Sequence, residues 1–493
     1  MIAAFANTMK VPELRSRILF TLALIVVVRL GVHLPLPGVD VQAISTHMAE
    51  LANEAGSPLA ALGAILTIFS GGGLQQCGIF ALGIMPYISA SIMTQLMGAV
   101  LPKWQKMLRE EGGRQKMTRY TRILAIIIAI VQGFLLTRTL ENPASIGLDF
   151  LPNLVMHPGW IFTISTIFII VTGTMFLMWI GDQITERGIG NGISLIISVN
   201  IISSLPGAFS LAWKTCVMKD GTEINPLGSL GLVALMLFMV IVVALVVTVS
   251  QAQRRIPVQA AKRVVGHGKM TQGNTSYLPL KLNYSGVMPV IFATAILALP
   301  GMLVTQIFGN DSAMGAFVST ILSPSDIWYY LISSFMIFFF SFFWVATMFQ
   351  PQQISEDLKR SGSYIPGVRP GPPTAQFLDQ TMQRLTFAGS LFLTLIYFLP
   401  SLLSVFGALP HPVTQFFGGT SLLILVGVLL DMMRQVEATL LQKNYDGFMK
   451  KGKLRGKYSH LQGTGAPAES KGIVILWVFI ALAVLACLII MAI

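Results

Sequence analysis

The chain has 493 residues, of which 54% are hydrophobic and only 11% charged. Soluble domains carry about 25% charged residues, so this composition excludes an ordinary soluble globular protein and indicates a polytopic membrane protein. The net charge of +12 gathers in a few loops, and three scattered cysteines (Cys77, Cys216 and Cys487) give neither a disulfide framework nor a metal-binding spacing.

About 20 apolar residues are needed to cross a hydrocarbon core of roughly 30 Å. In chain order, spans are predicted near 18–36, 78–99, 123–140, 160–180, 189–206, 228–250, 287–308, 327–349, 386–407, 416–433 and 472–493. The first has no small-x-small cleavage pattern behind it and reads as a retained helix. Between the first two lies a shorter apolar piece, about 59–70, which ends at Gly71-Gly72-Gly73. Three glycines make a poor helix interior and a good hinge. Irregular backbone at membrane depth is tolerated only inside protein or along a cavity. The stretch therefore predicts a re-entrant half-helix that sits in a cavity and can leave it.

The loops set the orientation. Residues 103–122 hold seven Lys/Arg, and 251–283 hold six with no acid. The segment 37–58 carries Asp40, Glu50 and Glu54 with no base, and 309–326 carries only Asp311 and Asp326. Basic loops stay on the cytoplasmic side, so the N-terminus is expected inside. Arg29 lies deep in the first span and is expected to snorkel to the outer interface. Such dense basic loops suit anionic lipid or an acidic or RNA-containing partner.

Two motifs fail on inspection. Gly188-Ile-Gly-Asn-Gly192 lacks the G-x-G-x-x-G spacing and any preceding strand. The stretch 447–454 resembles a phosphate-binding loop but has Leu454 where Ser/Thr is required. No cofactor is expected. Asp182, Glu186 and Asp431 sit at span ends, leaving no carboxylate at membrane depth for ion coupling. A small-solute secondary transporter is the alternative that this pattern argues against, and no nucleophile–base motif suggests an enzyme. Spans one to five and six to ten form two groups of five. The odd count inverts the second group relative to the first, which puts a working site between the halves. Ile84, Ile88 and Ile92 recur every four residues, as do Ile189, Ile193 and Ile197. Each set forms one helical face, suited to a hydrophobic constriction or to plain helix packing.

The stretches FALGIMPYISASIMTQL (80–96), ITERGIGNGISLII (184–197), QRRIPVQAAKRVVG (253–266), YLPLKLNYSGVMPVIFA (277–293) and YIPGVRPGPPTAQFLDQTMQRLT (364–386) resemble the SecY family, the channel subunits of the protein translocase. The likeness covers about residues 10–457. It implies an all-α channel of ten helices in two inverted five-helix halves (1–222 and 223–435), followed by a basic tail (436–471). A plug would occupy about 59–74, including Leu66, Ile68, Phe69 and the hinge Gly71, Gly72 and Gly73. A pore ring would comprise Ile84, Ile88, Ile193, Ile197, Ile291 and Ile424. A lateral gate opening to membrane lipids would include Ser89, Ile92, Thr94, Gln95 and Thr294. Arg254, Arg255, Lys262, Arg263 and Arg369 would dock the SecA ATPase or the ribosome. SecE-type and SecG-type small subunits would be partners, and unfolded preproteins and signal sequences the cargo. One departure stands out: 472–493 adds 22 apolar residues, enough for an extra C-terminal transmembrane helix.

Overall fold

The computed structural model describes residues 12–40, 71–73, 76–110, 112–141, 155, 157–219, 223–224, 226–260, 264–265, 269–270, 275–294, 296–297, 327–407, 413, 416–417 and 420–450. Helices dominate: α1 (Pro12–His33), α2 (Met85–Val100), α3 (Pro102–Arg109), α4 (Gly113–Glu141), α5 (Trp160–Arg187), α6 (Gly192–Val217) and α7 (Pro226–Gln251). A helical stretch over 288–294 follows, then α8 (Ile327–Met348), α9 (Pro351–Arg360), α10 (Pro372–Gly407) and α11 (Thr420–Lys450). Among the described residues, seven helices are long and apolar enough to cross a membrane. The expected plug segment 59–70 and the extra helix 472–493 lie outside the described residues, as does the whole of 298–326.

Prolines open several helices at their first turn, where a missing N–H costs nothing: Pro86 in α2, Pro102 in α3 and Pro351 in α9. Outward faces are apolar. Ile161 is 88% exposed and Phe168 72%, and Phe335 and Val240 also point outward. Side chains of this kind on a helix bundle belong against lipid, not water. The helices outrun the predicted spans at the basic end. Helix α5 continues to Arg187, and α11 passes the expected domain boundary at 435 unbroken to Lys450.

The loop 251–283 is more ordered than its sequence-level reading as a basic loop suggested. Strand β3 (Gln253–Ala260) pairs antiparallel with β6 (Thr275–Lys281), from Gln253 opposite Lys281 to Gln259 opposite Thr275. Strand β7 (Ser363–Tyr364) adds to the other edge of β3. Short pairs β1–β2 (218–219 with 223–224) and β4–β5 (264–265 with 269–270) complete the strands described.

Close helix packing rests on small residues. A Cβ on Gly192 would collide with the carbonyl of Gly181, so α5 and α6 meet backbone to backbone. A Cβ on Gly207 would meet nothing. Gly192→Ala is therefore expected to cost about 1–3 kcal/mol through overpacking and to lower the thermal midpoint of the purified complex. Gly207→Ala should leave that midpoint unchanged or raise it.

Candidate pore, gate and docking surface

Five of the six isoleucines singled out by their spacing meet the two that the family resemblance implies, and Ile189 is not among the residues of that cluster. Ile84 begins the α2 turn, Ile88 and Ile92 lie on α2, Ile197 on α6, Ile291 on the 288–294 stretch and Ile424 on α11. All six belong to a single apolar cluster and none is more than 5% exposed. Ile193 is half-buried and packs against the same cluster. Val28 and Val32 of α1, Leu177 and Ile180 of α5 and Phe340 of α8 join it. The cluster thus draws on both predicted halves and excludes water where they touch. Fully burying one such side chain is worth about 1.5–3 kcal/mol, so the cluster is strongly held by apolar contact alone.

The expected gate residues behave differently from one another. Ser89, Thr94 and Thr294 are buried. The Thr294 hydroxyl donates to the carbonyls of Val290 (3.1 Å) and Ile291 (3.0 Å), within its own helix. Thr94 donates to Ala90 (3.0 Å) and lies 2.9 Å from the Thr121 hydroxyl, so it ties α2 to α4 inside one half. The Gln95 amide donates to Ser91 Oγ at 3.0 Å. Ser89 Oγ has no partner among the described residues. Hydroxyls bonded to their own helix are a hidden advantage at a gate: the two faces can part without stranding donors.

Of the expected plug, only the hinge is described, and it corrects the reading of Arg29. Arg29 does not snorkel away. Its Nη1 donates to the carbonyl of Gly71 at 3.1 Å, and Ser203 Oγ of α6 reaches the same oxygen at 3.5 Å. A glycine turn at membrane depth leaves a carbonyl without a helical partner, and a guanidinium there compensates both its own burial and the carbonyl's. His33, one turn along α1, has its Nδ1 2.8 Å from Gln76 Oε1. Leu66, Ile68 and Phe69 lie outside the described residues.

At the end of the bundle bearing the basic loops, Arg254, Arg255 and Arg369 are exposed, while Lys262 and Arg263 lie outside the described residues. Strand β3 alternates: Ile256 and Val258 face inward and Arg255 and Pro257 outward. Ile256, Val258 and Leu280 pack with Val345 of α8, with Phe349 just beyond its end, and with Ile365, Leu378 and Met382. The arginines are therefore mounted on a sheet bolted to the membrane helices. The Arg369 loop is fixed as well, since its carbonyl accepts Thr374 Oγ1 at 2.8 Å and Ser355 Oγ donates to Gly371 at 2.6 Å. The period-two pattern in QRRIPVQA was readable in the sequence and is the signal that finds this platform.

A family model described as SecY matches residues 78–433. A Streptomyces galbus protein named protein translocase subunit SecY is 42% identical over 456 residues, covering 91% of this chain and 100% of that protein. The chain belongs to the SecY family. Similarly named proteins from Chlamydia trachomatis (37% identical, 92% of this chain and 100% of that protein) and Thermotoga maritima (38%, 92% and 99%) match nearly end to end. A solved structure described as a protein conducting channel aligns with a TM-score of 0.58 at 19% identity, over 91% of this chain and 99% of that one. Another, described as Sec61 in a canine ribosome–channel complex, aligns at 0.54 and 17% over the same shares. At those identities the likeness establishes the fold, the ten-helix SecY-type channel. Family membership also separates this chain from the solute carriers kept as the alternative.

The platform makes a prediction. Leu378 is fully buried beneath the SecY hairpin, and Leu378→Ala should cost about 2–5 kcal/mol. Limited proteolysis should then cut the 253–281 hairpin faster than in the parent protein, while the membrane helices remain protected.

Proposed function

We propose that this integral membrane protein is the pore-forming subunit of a bacterial protein translocase, and not an enzyme. It would sit in the plasma membrane with its N-terminus and basic loops in the cytoplasm. The observation that carries this reading is the apolar cluster uniting Ile84, Ile88, Ile197, Ile291 and Ile424 from both halves, with Ile193 at its edge. A hydrophobic constriction blocks ions by dewetting yet deforms around a larger cargo. In this reading those residues form the pore ring, and the half-helix hinged at Gly71–Gly73 forms the plug. Unfolded preproteins pass through the ring. Signal sequences and nascent transmembrane helices leave sideways between α2 and α4 on one side and the 288–297 stretch and α8 on the other.

A relative of this fold is described as having a plug domain that stabilises the closed state and maintains a membrane seal, and another is described within a ribosome–channel complex. By analogy, Arg254, Arg255 and Arg369 would engage the SecA ATPase or the ribosome. An arginine fork pairs bidentately with carboxylate or phosphate, and all three are exposed, Arg254 and Arg255 on the β3–β6 hairpin and Arg369 on its own braced loop. The energy for transport would come from that partner, with SecE-type and SecG-type subunits completing the complex.

Proteoliposomes test this directly. Deleting Leu59 to Gly72 should leave protein transport active and raise resting ion permeability, and Ile88→Ser should do so as well. Unchanged permeability in both would remove the plug and ring assignments. Arg369→Glu should abolish SecA-driven export while the variant still inserts and assembles. Normal export by that variant would remove the docking role.

A further inference from the structure

The GIGNG turn at 188–192, rejected above as a nucleotide motif, has a mechanical place in the fold. It connects α5 to α6 at the end of the bundle that carries the basic loops. Its own half holds it rigidly. Gly188 N–H donates to the Ile184 carbonyl (2.8 Å), Ile189 N–H to Thr21 Oγ1 of α1 (3.2 Å) and Gly192 N–H to Thr185 Oγ1 (2.9 Å). Asn191 Oδ1 caps the start of α6 by accepting from Ile193 N–H at 3.1 Å. One donor of the turn points the other way. Gly190, at φ +85°, directs its N–H across to Gln435 Oε1 of α11, in the opposite half, at 2.9 Å. The left-handed backbone that aims this N–H is accessible to glycine with little strain.

The position of that bond matters. Helices α6, α7 and α11 pack against one another. The chain passes from the first half to the second through the 218–224 hairpin, at the far end of α6. The halves are therefore joined along one edge at both ends, covalently at 218–224 and by Gly190–Gln435 at the other. The expected gate helices, α2 and α4 facing the 288–297 stretch and α8, are different elements from those that make this edge.

We propose that Gly190 and Gln435 form a pivot pin that stays closed while the halves rotate apart, so that Gln435 is a positioning residue for gate opening. The proposal rests on the channel reading. It differs from a closed-state latch, because a latch must break for transport and a pin must not.

The geometry supplies its own test. A Cβ placed on Gly190 would lie 4.0 Å from Met432 Cβ, within the Cβ separation of about 3.5–4.5 Å typical of a disulfide. The doubly substituted chain Gly190→Cys/Met432→Cys, in complex with its small subunits in proteoliposomes, should oxidise to a cross-link. It should then translocate a precursor at a rate within about twofold of its reduced form. A cross-linked form that stops translocation while the reduced form works would overturn the pin, and so would failure to cross-link. Loss of translocation by the unsubstituted complex would instead count against the channel reading. A second variant leaves the turn untouched. Gln435→Leu should raise resting ion permeability severalfold by loosening the pivot, and Gln435→Glu, which keeps an acceptor oxygen, should restore it. Parental permeability in Gln435→Leu would also overturn the proposal.

Discussion

The structure depends on one constraint: a bundle that must open for a polymer has to close without polar glue. In the function proposed here, its closure is the apolar contact among isoleucines on α2, α6, the 288–294 stretch and α11. Dispersion and water exclusion act between smooth side chains with no preferred partner, so such a contact can part and re-form. An ion pair at the same depth would need desolvated partners that become stranded on opening. The bonded hydroxyls of Thr94 and Thr294 follow the same logic, since each finds an acceptor on its own helix.

Polar contacts are kept for the parts that hold position. Arg29 and Ser203 converge on the Gly71 carbonyl, and Thr21, Thr185 and Asn191 brace the 188–192 turn. The exposed Arg254 and Arg255 ride on a hairpin whose inner face is packed onto α8 and α10. In the proposed reading, rigid mounts at the hinge, the edge and the docking surface surround a soft seal.

Much of this was legible in the sequence, for physical reasons. Apolar runs of membrane-crossing length set the helices, and the recurrence of Ile84, Ile88 and Ile92 set a face. The family likeness supplied Ile291 and Ile424, which no local period relates to the first half. The sequence points Arg29 to the nearest interface, the ordinary place for a lone cation in a span. Its partner is 42 residues away, and only the folded chain brings the two together. The pairing of Gly190 with Gln435, 245 residues apart, was equally invisible. The β3–β6 hairpin is signalled only by the short alternation of Ile256 and Val258, which sits within a strongly basic loop.

The most direct measurement is site-specific photo-cross-linking of a precursor halted midway through translocation in proteoliposomes. Photoreactive residues would be placed at Ile84, at Ile424 and at Phe335, which faces outward. If the isoleucine cluster is the constriction, the stalled chain should cross-link strongly at Ile84 and Ile424 and not at Phe335. Adducts at Phe335 with none at Ile84 and Ile424 would contradict the account and move the path of the polypeptide elsewhere.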